Sequence, residues 1–143
     1  MSAHTSEAEW RGDLHSGSGD MTVGDGFWEG AYTFKSRFEG GEGGSPEEFA
    51  AVAHASCYSM ALSHILSMNG HVPTRVHSKA TLYVEPLEEG GVWIPKIDLV
   101  MEAEVPGCDE ATFMTHAEEA KVGCPISRLF TGAEINLSAT LLG

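Results

Sequence analysis

From Ser45 to Met68 the chain carries a stretch that a fold must be built around. Ser45 is placed to cap a helix, Pro46 suits the first helical position, and Glu48 stands three residues past the cap to close a capping box. Asn69-Gly70, with Pro73 just beyond, supplies the stop. Between these ends Phe49, Val52, Met60, Leu62, Ile65, Leu66 and Met68 point in all directions, and Ala and Ser fill the gaps. No face carries a stripe of charge, and a helix apolar all round is a buried one. About 24 residues long, it spans roughly 36 Å at 1.5 Å per residue. Covering such a helix takes more surface than one small sheet offers, so a second copy of the chain is expected against it, in an intimate homodimer.

The rest of the composition narrows the class. A length of 143 residues fits one domain over 1–143, with residues 1 to 8 expected as a flexible tail. Acidic residues outnumber basic ones by 21 to 8, a net charge of −13, which argues against nucleic acid or an anionic membrane as partner. The first ten residues hold no basic region followed by an apolar run, so no secretory leader is expected. No apolar stretch is expected to reach membrane-spanning length. A cytoplasmic location follows as the expectation, and there a cysteine pair is more often catalytic or metal-binding than structural.

Alternation of apolar and polar residues predicts the remaining elements. Glu9 to Leu14, Asp20 to Val23 and the aromatic-rich Phe27 to Phe34 read as strands, the first two joined across Ser16-Gly-Ser-Gly19. Lys35 to Glu39 is expected to continue from the third strand into the loop Gly40-Gly-Glu-Gly-Gly44, which lacks the strand-to-helix setting of a phosphate cradle. Beyond the long helix, Val76 to Val84 and Val92 to Val105 each alternate, with Glu88-Glu-Gly-Gly91 as the turn, and predict an antiparallel pair with one wet face. A helix over Glu110 to Val122 follows, capped by Asp109. Gly123 interrupts it, Cys124-Pro begins a shorter one, and Ile135 to Leu141 alternates as a closing strand. The fold class is α+β, antiparallel sheet packed on the long buried central helix.

Chemistry centres on Cys57, in the middle of the helix, and Cys124, with Cys108 left over. A reactive cysteine needs a stabilised thiolate. Cys57 lies too far along its helix for the dipole to help, so it needs a cation nearby and a carboxylate to orient that cation. Cys124 directly precedes Pro125 at a predicted helix start, where free backbone N–H groups favour an anion. Local physics therefore does not assign roles to the two. His54 shares a helical face with Cys57, but zinc takes four ligands, commonly in paired short spacings, and no Cys-x-x-Cys occurs. No metal or cofactor is expected, and His54 reads as a buried, hydrogen-bonded histidine. Neither Gly-x-Ser-x-Gly nor His-Glu-x-x-His is present.

The segment Pro46-Glu-Glu-Phe-Ala-Ala-Val-Ala-His-Ala-Ser-Cys-Tyr-Ser-Met-Ala-Leu62 resembles the signature helix of the osmotically inducible protein C (OsmC) family. Lys121-Val-Gly-Cys-Pro-Ile-Ser-Arg128 resembles that family's second cysteine segment. Trp10-Arg-Gly-Asp-Leu-His-Ser-Gly-Ser-Gly19 and Ser36-Arg-Phe-Glu-Gly40 look like its N-terminal elements, and the placement of Arg-Phe-Glu resembles the OsmC branch more than the organic hydroperoxide resistance (Ohr) branch. The departures are mild: Tyr58 and Val52 stand where the family commonly has Phe and Ala, and Cys108 matches no family motif.

The resemblance implies an intertwined α+β homodimer with active sites at the subunit interface. It implies a cysteine-based peroxidase that reduces organic hydroperoxides to alcohols. Carried over by motif, Cys57 is the peroxidatic cysteine, Cys124 the resolving one, and Arg37 and Glu47 the activating pair. Cys57 becomes a sulfenic acid, Cys124 condenses with it to a disulfide, and an external dithiol, lipoyl-type by resemblance, reduces it. The apolar neighbours of Cys57 and the aromatic strand Phe27 to Phe34 lead to an expected preference for bulky organic hydroperoxides over hydrogen peroxide. The rival reading is a non-catalytic, dimeric ligand-binding protein whose cysteines are buried and inert.

Overall fold

The computed structural model describes residues 1–143, which fall into two units, Met1–Phe49 and Ala50–Gly143. In the first, β1 (Ser6–Arg11), β2 (Ser18–Val23) and β3 (Trp28–Tyr32) form an antiparallel meander in the order β1-β2-β3. Gly19 lies between Trp10 and Tyr32 in register. The two rings meet over it with centroids 5.3 Å apart, and a Cβ there would come within 2.5 Å of Tyr32 and 2.8 Å of Trp10. Only glycine fits between those rings. Strand β1 already begins at Ser6, so the N-terminal tail is shorter than the sequence suggested.

Residues 34–38, expected to prolong the third strand, form instead a short helix α1 (Phe34–Phe38). The reason is local. The Thr33 hydroxyl accepts from the Ser36 N–H, and the Ser36 hydroxyl accepts from the Thr33 N–H, a reciprocal cap written in four residues without an acidic partner. The glycine loop then folds back on this unit. The Gly44 N–H donates to the Ala31 carbonyl at 3.0 Å, and the Ser36 hydroxyl lies 2.8 Å from the Gly44 carbonyl.

Helix α2 (Pro46–Met68) matches the expected span. Its cap is a variant of the predicted box: the Glu48 N–H donates to the Ser45 hydroxyl, which in turn donates to the Glu48 carboxylate at 2.8 Å. Within one chain only the stripe His54, Tyr58, Leu62 and Leu66 is fully covered, while Val52, Met60 and Met68 are 59%, 78% and 74% exposed. The all-round burial expected for this helix is therefore absent from the single subunit. By length and composition α2 also reaches what a membrane-crossing helix needs, contrary to the expectation, because its five alanines and its larger apolar residues outweigh the serines and histidines and only Glu47 and Glu48 are charged. It packs as a core helix: the buried Tyr58 hydroxyl donates to the Ala117 carbonyl at 3.0 Å.

In the second unit the sheet order is β4-β7-β8, from β4 (Arg75–Leu82), β7 (Lys96–Glu104) and β8 (Glu134–Leu141). β4 and β7 are antiparallel, with Val76 opposite Ala103 and Ala80 opposite Leu99. β8 runs parallel to β7, Leu99 opposite Leu137. That parallel pair enters an otherwise antiparallel fold because α3 (Glu110–Gly123) and α4 (Pro125–Leu129) carry the chain back before β8, a crossover that a hairpin could not make. The single strand expected over Val92 to Val105 is broken at Pro95, which has no N–H for a ladder. Its first residues form a two-stranded ribbon, β5 (Glu85–Pro86) with β6 (Val92–Trp93). Along β7, Ile97, Leu99, Met101 and Ala103 are buried and alternate with Asp98, Glu102 and the other outward residues, as predicted. Leu99, Met101 and Ala103 meet Tyr58, Leu62, Leu66, Phe113, Ala117 and Ala120 from α2 and α3 in one core that also contains Cys124.

Candidate active site

Two of the expected functional pairs are assembled, one in each unit. Arg37 leaves the last turn of α1, and Glu47 stands at the second position of α2, two residues past the Ser45 cap. The folded-back glycine loop brings them together. Arg37 donates from Nε to Glu47 Oε1 at 2.9 Å and from Nη2 to the same oxygen at 2.8 Å, with Oε2 3.3 Å from Nε. A planar guanidinium held this way by a carboxylate is directed as well as charged. The Glu47 side chain is 11% exposed and that of Arg37 35%, so the acid is the sheltered member and the cation reaches outward. Phe38 backs the guanidinium at 4.9 Å.

In the second unit Cys57 and Cys124 are both free thiols, and their sulfurs lie 2.9 Å apart. Closing that gap to the ~2.05 Å of a disulfide needs less than ~1 Å of movement. Cys124 is fully buried at the joint between two helices: its N–H still donates to the Ala120 carbonyl as the last bond of α3, and its own residue opens α4. Pro125, at the first position of α4, makes that joint sharp. Cys57 is half-buried. Burial pushes its thiol above the ordinary range, the neighbouring Cys124 adds to the rise, and the backbone N–H of Ile126 pulls the other way. Cys108 takes no part; its sulfur is 3.6 Å from the Asp109 carbonyl, and burial and the Asp109 charge raise its pKa.

His54 is fully buried, and its Nε2 lies 2.7 Å from the Ser127 hydroxyl. It faces serine, not the sulfurs, and no three His, Cys, Asp or Glu side chains gather as a metal site. Ser127 escaped the sequence reading although it stands three residues past Cys124, as His54 stands three before Cys57. Phe130 packs edge-on against the imidazole, with centroids 5.6 Å apart. Phe130 also lines an apolar cavity of about 380 Å³ shared with Ala50, Trp93, Ile97, Leu129 and Gly132. In the first unit Trp10, Tyr32, Phe34 and Arg37 border a smaller cavity of about 200 Å³. Of the aromatic strand expected to line an approach, Tyr32 and Phe34 do line a cavity, and Phe27 is 83% exposed.

Chemically, a close dithiol can be oxidised to a disulfide and reduced again, and a fixed guanidinium can stabilise a thiolate or a polarised oxygen. Residues 39–139 match the family model described as OsmC-like protein. The chain is 40% identical to the peroxiredoxin OsmC of Escherichia coli (strain K12) over 136 residues, covering 94% of each protein. Among solved structures it resembles the organic hydroperoxide resistance protein OhrB of Bacillus subtilis, with TM-score 0.71 and 21% identity over 94% of this chain and 97% of that one. It also resembles an OsmC-like protein from Mycoplasma pneumoniae, with TM-score 0.76 and 14% identity over 99% of both.

Proposed function

The chain belongs to the OsmC-like protein family, and on that premise we propose that it is a cysteine-based peroxidase that detoxifies organic hydroperoxides. The observation that carries the proposal is the pair of free thiols 2.9 Å apart in a chain 40% identical to a peroxiredoxin.

The proposed cycle has three balanced steps. The Cys57 thiolate attacks the terminal peroxide oxygen; the O–O bond breaks, the alkoxide takes a proton, and Cys57 becomes a sulfenic acid as an alcohol leaves. The Cys124 thiol then displaces the sulfenic oxygen as water and forms the Cys57–Cys124 disulfide. An external dithiol reduces that bond by exchange, becoming a disulfide itself. A lipoyl-type dithiol fits this step, since its two thiols are already joined.

Attack requires a thiolate, and Cys57 by itself is held protonated by its surroundings. Arg37 is the proposed activator. Glu47 stands ten residues before Cys57 on α2, about 15 Å of helical rise, so its role is to aim Arg37 and not to touch the sulfur. The exposed apolar residues of α2 support a homodimer: Val52, Met60 and Met68 leave one side of the helix for a second copy to cover. In this reading the active site is completed at the subunit interface, and the enzyme works in the reducing cytoplasm, where the dithiol form is restored.

The test is hydroperoxide consumption by purified protein supplied with excess dithiol. Turnover of cumene or tert-butyl hydroperoxide that stops when the dithiol is omitted is expected. No turnover with either oxidant would leave the cysteines as inert core residues.

A further inference from the structure

Two contacts, antiparallel in register, tie α4 and the residue that opens it to α2. Cys57 meets Cys124, and His54, three residues before Cys57, meets Ser127, three residues after Cys124. Three residues are about one helical turn, so the two contacts form adjacent rungs between the same two segments. We infer that the His54–Ser127 hydrogen bond is the rung that holds Cys124 over Cys57, making these two residues a positioning pair for closure of the disulfide.

α4 has little to hold it in place by itself. Five residues do not make a stable helix on their own, and no side chain caps its start. Its last residue, Leu129, is 70% exposed. The bond from Ser127 is the one hydrogen bond between side chains of α4 and α2, beside the contact of the Ile126 backbone N–H with the Cys57 sulfur. Both partners are sheltered, His54 at 0% and Ser127 at 5% exposure, so water does not compete for the bond.

The histidine is also a poor choice for packing alone. Its Nδ1 is buried with no partner, so the fold bears the desolvation of that nitrogen in order to keep the bond at Nε2. An aliphatic residue would fill the space without that cost. Either imidazole tautomer makes the bond, because the serine hydroxyl both donates and accepts.

The rung matters unequally in the two redox forms. Once the disulfide exists, the S–S bond itself fastens the start of α4 to α2. In the dithiol form that tether is missing, and the hydrogen bond keeps the sulfurs within reach. Removing it therefore loosens the dithiol more than the disulfide and weakens the tendency to close. The inference rests on the proposed role of the two cysteines as a redox couple, but its test does not depend on hydroperoxide.

The experiment equilibrates the protein with mixtures of oxidised and reduced glutathione, in a Cys108→Ser background so that one pair alone can close. Each closure takes two electrons and two protons from the thiols and converts one glutathione disulfide to two glutathiones. Ser127→Ala is expected to lower the closure constant about tenfold, a potential about 30 mV less negative. Ser127→Thr, which keeps the hydroxyl, is expected to restore it. The double variant His54→Leu with Ser127→Ala separates positioning from packing, since removing both polar partners relieves the unpaired group. It is expected to unfold in the reduced form at least as high in temperature as Ser127→Ala, yet keep the lowered constant. An unchanged constant in Ser127→Ala, or a wild-type constant in the double variant, overturns the inference. If hydroperoxide turnover fails while these glutathione results hold, the peroxidase reading falls and the positioning role stands.

Discussion

The apolar cavity beside Phe130 makes a quantitative prediction about substrate. Its lining of Ala50, Trp93, Ile97, Leu129 and Phe130 suits a hydrocarbon tail, and Phe130 touches His54, one turn from Cys57. Each methylene moved from water into such a space gains about 0.8 kcal/mol, about a fourfold rise in kcat/KM if the gain is kept in the transition state. From ethyl to hexyl hydroperoxide four methylenes give about 3 kcal/mol, on the order of a hundredfold or more. Hydrogen peroxide, with no tail, falls at or below the foot of that series. Gly132 offers the perturbation. Nothing lies within 4 Å of where its Cβ would stand, and its backbone does not need a glycine, so Gly132→Leu puts a side chain into the cavity without straining the turn. Stopped-flow oxidation of the reduced enzyme by the series measures the effect directly. Wild type should climb by about fourfold per carbon, and Gly132→Leu should plateau after the first one or two. Equal slopes in both proteins would place the tail elsewhere. A flat series in wild type would mean that these apolar residues serve packing only.

Other consequences follow for the thiols and for stability. Cys57→Ser should abolish turnover, while Cys124→Ser should consume about one peroxide per site and stall with Cys57 as sulfenic or higher acid, read by mass spectrometry. Arg37→Ala should move the pH at which oxidation becomes fast further into the alkaline range, since burial and Cys124 already raise the Cys57 pKa. Arg37→Lys should recover part of that loss, because a point charge is not held as a fork by Glu47; thiolate absorbance against pH would show both. Burial lowers the pKa of His54 below its usual 6.5, so the folded state keeps it neutral while the unfolded chain takes up a proton. Its contribution to stability is complete above that usual value and is lost as pH falls through it, by up to about 1.4 kcal/mol per pH unit. Urea midpoints at pH 7 and 5.5 should therefore differ less in His54→Leu than in wild type.

Much of this could be read from the residues because the signals were local and agreed with one another. Ser45, Pro46 and Glu48 fixed the start of α2 to the residue, and alternation along β7 named its buried face. The joint at Cys124-Pro125 was visible for the same reason. What misled was competition between levels. Thr33 and Ser36 cap each other, a device without the acidic residue that usually flags a helix start, so α1 looked like more strand. The parallel direction of β8 depends on where the crossover helices set the chain down, which no residue in β8 records. The apolar character of α2 was clear in sequence, but one chain covers a single stripe of it. For the site, the motif resemblance singled out all four proposed residues, whereas local physics ranks neither Cys57 nor Cys124 above the other. The His54–Ser127 contact joins residues 73 apart in sequence, and nothing in either neighbourhood announces the other.

The most direct test of the account is a single turnover. Fully reduced protein is mixed with one equivalent of cumene hydroperoxide without added dithiol, quenched with an alkylating agent, digested and mapped. One equivalent of alcohol, loss of two thiols per chain, and a disulfide joining the peptides of Cys57 and Cys124 are expected, with Cys108 alkylated. Oxygen accumulating on Cys124 while Cys57 stays reduced, or a disulfide that includes Cys108, would contradict it.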